Sequence, residues 1–124
     1  MIGDGLLPIT CDECRARFRH AASTAGQQVH AHPIEAPGPQ GQELSIDVVA
    51  VGSAHPRRAL TVLSGVHGVE GFVSSQLQTD LLRRLDPASL PADVAVVLVH
   101  AVNPWGMAWG RRQNGANVDL NRNW

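Results

Sequence analysis

Residues 60–85 read LTVLSGVHGVEGFVSSQLQTDLLRRL, and residues 94–102 read VAVVLVHAV. Leu60 to Ser64 is a short apolar run of strand character. Val69, Phe72, Val73, Leu77, Leu81 and Leu85 then recur at helical spacing, with Gln76, Asp80, Arg83 and Arg84 largely opposite them, so Glu70 to Leu85 is expected to be a helix packed on its apolar side. Val94 to Val102 is nearly unbroken in apolar residues, the pattern of a strand covered on both faces. Strand, helix, strand in this order is a βαβ unit, a parallel pair joined by a right-handed crossover.

Working outward, Val29 to Glu35 and Leu44 to Val51 are strand-like and flank Pro37-Gly-Pro-Gln-Gly41, a dense set of turn formers, which predicts an antiparallel hairpin. Asp12 to Ala25 reads as a first helix, with Phe18, Ala21, Ala22 and Ala25 on one face and Gly26 as its stop. Asp86 to Asp93 is a loop. From Asn103 the composition shifts to a long loop at the carboxyl end of the last strand, in which Trp105 and Trp109 suit a packed pair on a short helical turn. The fold class expected is α/β: a mixed, largely parallel sheet with flanking helices, within a single domain spanning residues 1–124.

The 124 residues carry 44% hydrophobic and 17% charged side chains and a formal net charge of -1, so no charge field points to nucleic acid or an acidic membrane surface. All ten positive residues are arginine. Met1 to Thr10 has neither a basic region nor an apolar run of signal-peptide length, and no stretch approaches transmembrane length, so a cytoplasmic location is expected. Cys11 and Cys14 form a lone Cys-x-x-Cys without further ligands at suitable distance and are expected to be reduced thiols near a helix start. His30 and His32 share one side of a strand, where pairing across an exposed hairpin explains them. A Walker or dinucleotide fingerprint is absent, since Gly65, Gly68 and Gly71 are spaced at three.

Chemistry concentrates in two places. In Ser64-Gly-Val-His-Gly-Val-Glu-Gly71, an imidazole and a carboxylate stand three residues apart at the end of a strand, where open α/β sheets place ligands, so His67 and Glu70 can converge on one cation. The plainer alternative makes them a solvated turn residue and a carboxylate favoured in a helix's first turn. The second place is Val118-Asp-Leu-Asn-Arg-Asn-Trp124.

Together, His67-x-x-Glu70 and Asp119-x-Asn121-Arg122 resemble the zinc carboxypeptidase family. The Asn-Pro at 103–104 and an arginine shortly before Asp119 resemble its succinylglutamate desuccinylase and aspartoacylase relatives. The resemblance implies the N-terminal half of a zinc carboxypeptidase-like fold and Zn2+ as cofactor. By position it makes His67 and Glu70 zinc ligands, Asp119 the carboxylate that hydrogen-bonds the metal-binding histidine, and Asn121 and Arg122 the anchors of the substrate's carboxylate. It makes Arg112, or else Arg111, the group that stabilises the oxyanion. It implies hydrolysis of an amide or peptide bond next to a free carboxylate, with a small peptide or an N-acyl amino acid as substrate.

The resemblance also implies a histidine as third zinc ligand and a glutamate as general base, both C-terminal to Trp124. His100 is the best-placed substitute ligand in the sequence, although a histidine near the end of a buried strand is more often structural. This chain is therefore expected to be incomplete as a catalyst, and the alternatives are a non-catalytic fragment or binding module, with self-association possible through an uncovered sheet edge.

Overall fold

A computed structural model describes residues 7–123. Helix α1 (Cys11–Thr24) begins where the Thr10 side chain accepts the Glu13 N–H, and it is followed by β1 (His30–Pro33), β2 (Ser45–Gly52) and β3 (Arg58–Leu63). Helix α2 (Gly71–Arg84), β4 (Val94–His100) and a short helix α3 (Pro104–Trp109) complete the order, with a 3-10 turn at Pro87–Ser89 in the loop before β4. The four strands form one sheet in the order β1-β2-β4-β3. β3 and β4 pair in parallel, while β1–β2 and β2–β4 are antiparallel. The mixed sheet and the βαβ unit stand as expected, with one parallel pairing among the three. The hairpin strand β2 lies beside β4 and leaves β3 at the edge.

Phe18, Ala21 and Ala22 of α1, Val49 and Val51 of β2, Leu82 of α2, and Val96 and Leu98 of β4 form the main core. β4 is buried on the helical side, while Val94, Val97 and Val99 are half-buried. Ala95 on the same face as Val97 and Val99 is buried, so the second face of the strand is partly covered among the described residues. None of the described helices is long and apolar enough to cross a membrane.

Helix α2 corrects the sequence reading. Of its expected apolar face, Phe72 and Leu85 pack against the core, while Val73 and Leu77 are more than half exposed, and Val69 beside them equally so. Ser75, Gln78, Thr79 and Leu82 face inward instead. Two of the polar residues, Gln78 and Ser75, meet specific partners there, while the buried Thr79 hydroxyl has none among the described residues. The Gln78 amide donates to the carbonyls of Val62 and Val99 and accepts from Ser64 Oγ, and Ser75 Oγ lies 2.7 Å from His100 Nε2. Periodicity locates a face; the polar partners on the sheet decide which face goes in. The outward stripe runs on to Leu60 and Leu63 of the edge strand, which are also more than half exposed.

His100 stacks on Phe18 with ring centroids 4.4 Å apart and is 1% exposed, so it is a core residue and no substitute metal ligand. Burial pulls its pKa down to about 4, against the raising influence of the fully buried Asp47. Asp47 itself accepts from Arg19 Nε at 2.6 Å, from Arg19 Nη2 at 3.0 Å and from Ser45 Oγ at 2.8 Å, so the buried carboxylate is satisfied. A histidine whose folded pKa lies below its unfolded value contributes stability above the unfolded pKa and loses it as pH falls. Stability is therefore expected to drop by about 3 kcal/mol as pH falls from 6.5 to about 4. Urea titrations at a series of pH values should show this slope in the parent and not in His100→Gln; equal slopes would refute the assignment.

Cys11 and Cys14 are free and buried at the start of α1. Burial raises both thiol pKa values, that of Cys11 to about 11, with Cys14 itself a further contributor. The motif is thus neither a low-pKa redox pair nor an open metal site. Neither thiol is expected to react with a disulfide reagent until the chain unfolds; rapid labelling of the folded protein would contradict this.

Candidate metal centre and substrate anchor

The candidate residues gather at the carboxyl ends of β3 and β4. Both strands turn over sharply there: Gly65 follows β3 at φ +65°, and Ala101 follows β4 at φ 59°, a left-handed conformation that costs a non-glycine residue energy and is held by burial and by its N–H donating to Ser64 Oγ. The backbone then ties the two connections together, Val102 N–H to the Ser64 carbonyl at 2.9 Å and Asn103 N–H to the Gly65 carbonyl at 2.8 Å. Gly68 lies so close to Gly106 and the Arg111 carbonyl that no side chain fits on it.

His67 emerges from this frame with its side chain 14% exposed. Its Nε2 is 2.8 Å from Asp119 Oδ1. Hydrogen bonds hold the Asp119 carboxyl well below the usual carboxylate range, the one from His67 first, then the Asn121 backbone N–H, with Arg112 adding to them. An ionised carboxylate only accepts, so the proton of a neutral His67 sits on Nε2 and the lone pair on Nδ1. Nδ1 faces Glu70 Oε1 at 3.9 Å. That gap is too long for a hydrogen bond and is a little wider than the ~3.4 Å that two bonds of about 2.0–2.1 Å subtend at a tetrahedral ion, a difference that a small turn of the exposed Glu70 side chain closes. A neutral imidazole nitrogen and an exposed carboxylate are donors that zinc accepts, so these two residues fit the ion.

Of the two arginines, Arg112 is the one that reaches Asp119. Its Nε donates to Asp119 Oδ2 at 3.0 Å, and its Nη1 is 3.9 Å from Glu70 Oε1. The Arg111 backbone instead packs against Gly68 and closes a turn from its N–H to the Gly106 carbonyl at 2.8 Å. Asp119 therefore orients both the imidazole and a guanidinium. Asn121 and Arg122 are exposed beside it, with Arg122 Nη1 donating to the Asn121 carbonyl and no carboxylate within ion-pair distance of Arg122 among the described residues. Trp105 and Trp109 stack at 5.9 Å on α3, as their spacing implies. His30 and His32 lie exposed on β1, opposite Val48 and Ile46 of β2. Among the described residues, no group of three or more His, Cys, Asp or Glu is placed to hold a metal ion.

Solved structures share this fold. A candidate metallopeptidase from Shewanella denitrificans matches with a TM-score of 0.59 at 23% identity, over 87% of this chain and 38% of its own. One from Shewanella amazonensis matches with a TM-score of 0.60 at 20% identity, over the same shares. A succinylglutamate desuccinylase/aspartoacylase from Rhodobacter sphaeroides matches with a TM-score of 0.54 at 24% identity, over 76% of this chain and 29% of its own. The likeness gives the fold, a zinc carboxypeptidase-like α/β arrangement, and the chain spans 38% of the length of the two Shewanella proteins. No curated protein matches. The family model described as "Protein of unknown function (DUF2817)" matches residues 10–124, and the chain belongs to that family.

Proposed function

We propose that this sequence carries part of the centre of a zinc-dependent hydrolase that cleaves an amide or peptide bond next to a free carboxylate. The observation that carries the reading is the 2.8 Å contact of His67 Nε2 with Asp119 Oδ1, which assigns the proton to Nε2 and turns Nδ1 towards Glu70. Zinc bound there supplies a Lewis acid that polarises a carbonyl and acidifies water. Asp119 keeps the imidazole basic and correctly turned. Its second oxygen holds Arg112 through Nε, so the guanidinium's outer N–H groups are available to an oxyanion. Arg122, with Asn121, offers a planar donor pair to a substrate carboxylate. Peptides and N-acyl amino acids both present that group.

His67 and Glu70 are two ligands, and catalytic zinc sites use three protein ligands with one open position. The third ligand and the general base are proposed to come from residues outside these 124. By itself the sequence then binds zinc weakly and does not turn over substrate. The exposed stripe of α2 and the edge of β3 favour a companion reading for the isolated chain, self-association through that edge.

The test is hydrolysis by the whole protein of a panel of C-terminal peptides and N-acyl amino acids, with and without chelator. Chelator-sensitive cleavage that requires the free carboxylate is expected; chelator-insensitive activity, or none, counts against the reading.

A further inference from the structure

Asn103 is 2% exposed and stands where three segments of the site meet. Its backbone N–H holds the Gly65 carbonyl, on the turn that leads to His67. Its side-chain oxygen accepts the Gly106 N–H at 2.9 Å and caps α3, whose first residue is Pro104. Its side-chain amide donates to the Arg112 carbonyl at 3.3 Å. With its backbone carbonyl accepting the Met107 N–H at 3.2 Å, every polar group of this residue except one amide hydrogen is assigned, and the partners belong to the turn carrying His67, to α3 and to the arginine loop. The rest of that loop is otherwise fastened near Arg112 by the Arg111 N–H to Gly106 and by the Arg112 side chain on Asp119.

We propose that Asn103 is a positioning residue that sets the backbone of Arg112, and through it the guanidinium that Asp119 shares with His67. The inference rests on Arg112 serving as the oxyanion donor, and it concerns how that arginine is held. An amide is the side chain suited to the task. The cap needs an acceptor and the Arg112 carbonyl needs a donor, on two atoms of one rigid plane. Aspartate would keep the cap and place an oxygen against the Arg112 carbonyl. Serine would keep the cap and fall short of that carbonyl. Alanine would lose both.

The test separates helix capping from arginine placement without requiring hydrolysis. In the 124-residue chain, the Arg112 Nε–H resonance and its solvent exchange are measured by nitrogen-15 NMR for the parent, Asn103→Asp and Asn103→Ser. Asp119→Ala supplies the reference for a released Arg112. Asn103→Asp keeps the cap but buries a carboxylate against a carbonyl, so its thermal midpoint is expected to fall by about 5–15 °C with the chain still folded at 25 °C. Its Arg112 signal should move towards that of Asp119→Ala, with exchange faster by about tenfold. Asn103→Ser should show the same direction of change. An Arg112 signal unchanged in either folded variant overturns the proposal, and so does loss of the fold in both, because Asn103 would then serve stability alone. The readout stands whether or not the whole protein proves to be a hydrolase, so failure of the catalytic reading is distinguished by the chelator assay.

Discussion

His67→Ala is expected to abolish measurable zinc binding by the chain and to lower hydrolysis by the whole protein on the order of 10³-fold or more. Loss of even the carboxylate behind a metal ligand typically costs 10–100-fold, and a ligand contributes more than its support. The geometry gives the order of effects. His67 supplies the Nδ1 lone pair, Glu70 supplies an exposed carboxylate 3.9 Å away, and Asp119 fixes the imidazole through Nε2. Glu70→Gln should therefore weaken zinc binding strongly, because it removes the charge and leaves a poorer oxygen donor. Asp119→Ala should weaken it by about 10–100-fold while also releasing Arg112. Calorimetric zinc titration of the four proteins checks the ranking. Zinc affinity in His67→Ala equal to the parent's would remove His67 from the site.

Gly68→Ala is expected to destabilise the fold by about 3–5 kcal/mol, because the new carbon would run into backbone of Gly106 and Arg111. Neither neighbour is a side chain that can swing away. Gly106 is in α3, and Arg111 is tied to it by its own N–H. Gly71→Ala makes the useful contrast. Its nearest atoms belong to the Met107 side chain, which is flexible, so a cost of about 1–3 kcal/mol is expected. Gly110→Ala meets nothing within 4 Å and bears only its left-handed φ of +65°, a cost of about 1–2 kcal/mol. Urea denaturation of the three variants checks the order. If Gly68→Ala loses less than Gly110→Ala, the contact between the ligand turn and α3 is looser than described.

These expectations show how unevenly the sequence spoke. The candidate residues were legible because their motifs are local: His67 and Glu70 are three positions apart, and Asp119, Asn121 and Arg122 lie within four positions. Convergence of the two motifs followed from the βαβ unit, which brings the carboxyl ends of β3 and β4 side by side. The choice between Arg111 and Arg112 was not legible, since it depends on which residue of a turn points at Asp119.

The orientation of α2 was not legible either. A hydrophobic stripe is normally the inward face, and here part of it gives way to Gln78 and Ser75, which meet the Val62 and Val99 carbonyls and the His100 ring nitrogen. Nor did periodicity indicate that β2 pairs with β4, a contact between residues some fifty positions apart. Asn103 carried one signal, a capping residue followed by proline just after a strand. That signal announces the start of α3 and says nothing of Arg112.

The central claim is that His67 presents Nδ1 to a metal while Nε2–H remains on Asp119. Nitrogen-15 NMR of the imidazole of His67, recorded as zinc is added to the chain, tests it most directly. The account predicts that the neutral ring carries its proton on Nε2 before zinc is added, that zinc shifts the Nδ1 resonance, and that the Nε2–H signal persists. A ring protonated on Nδ1, or zinc acting on Nε2 or on neither nitrogen, would contradict it.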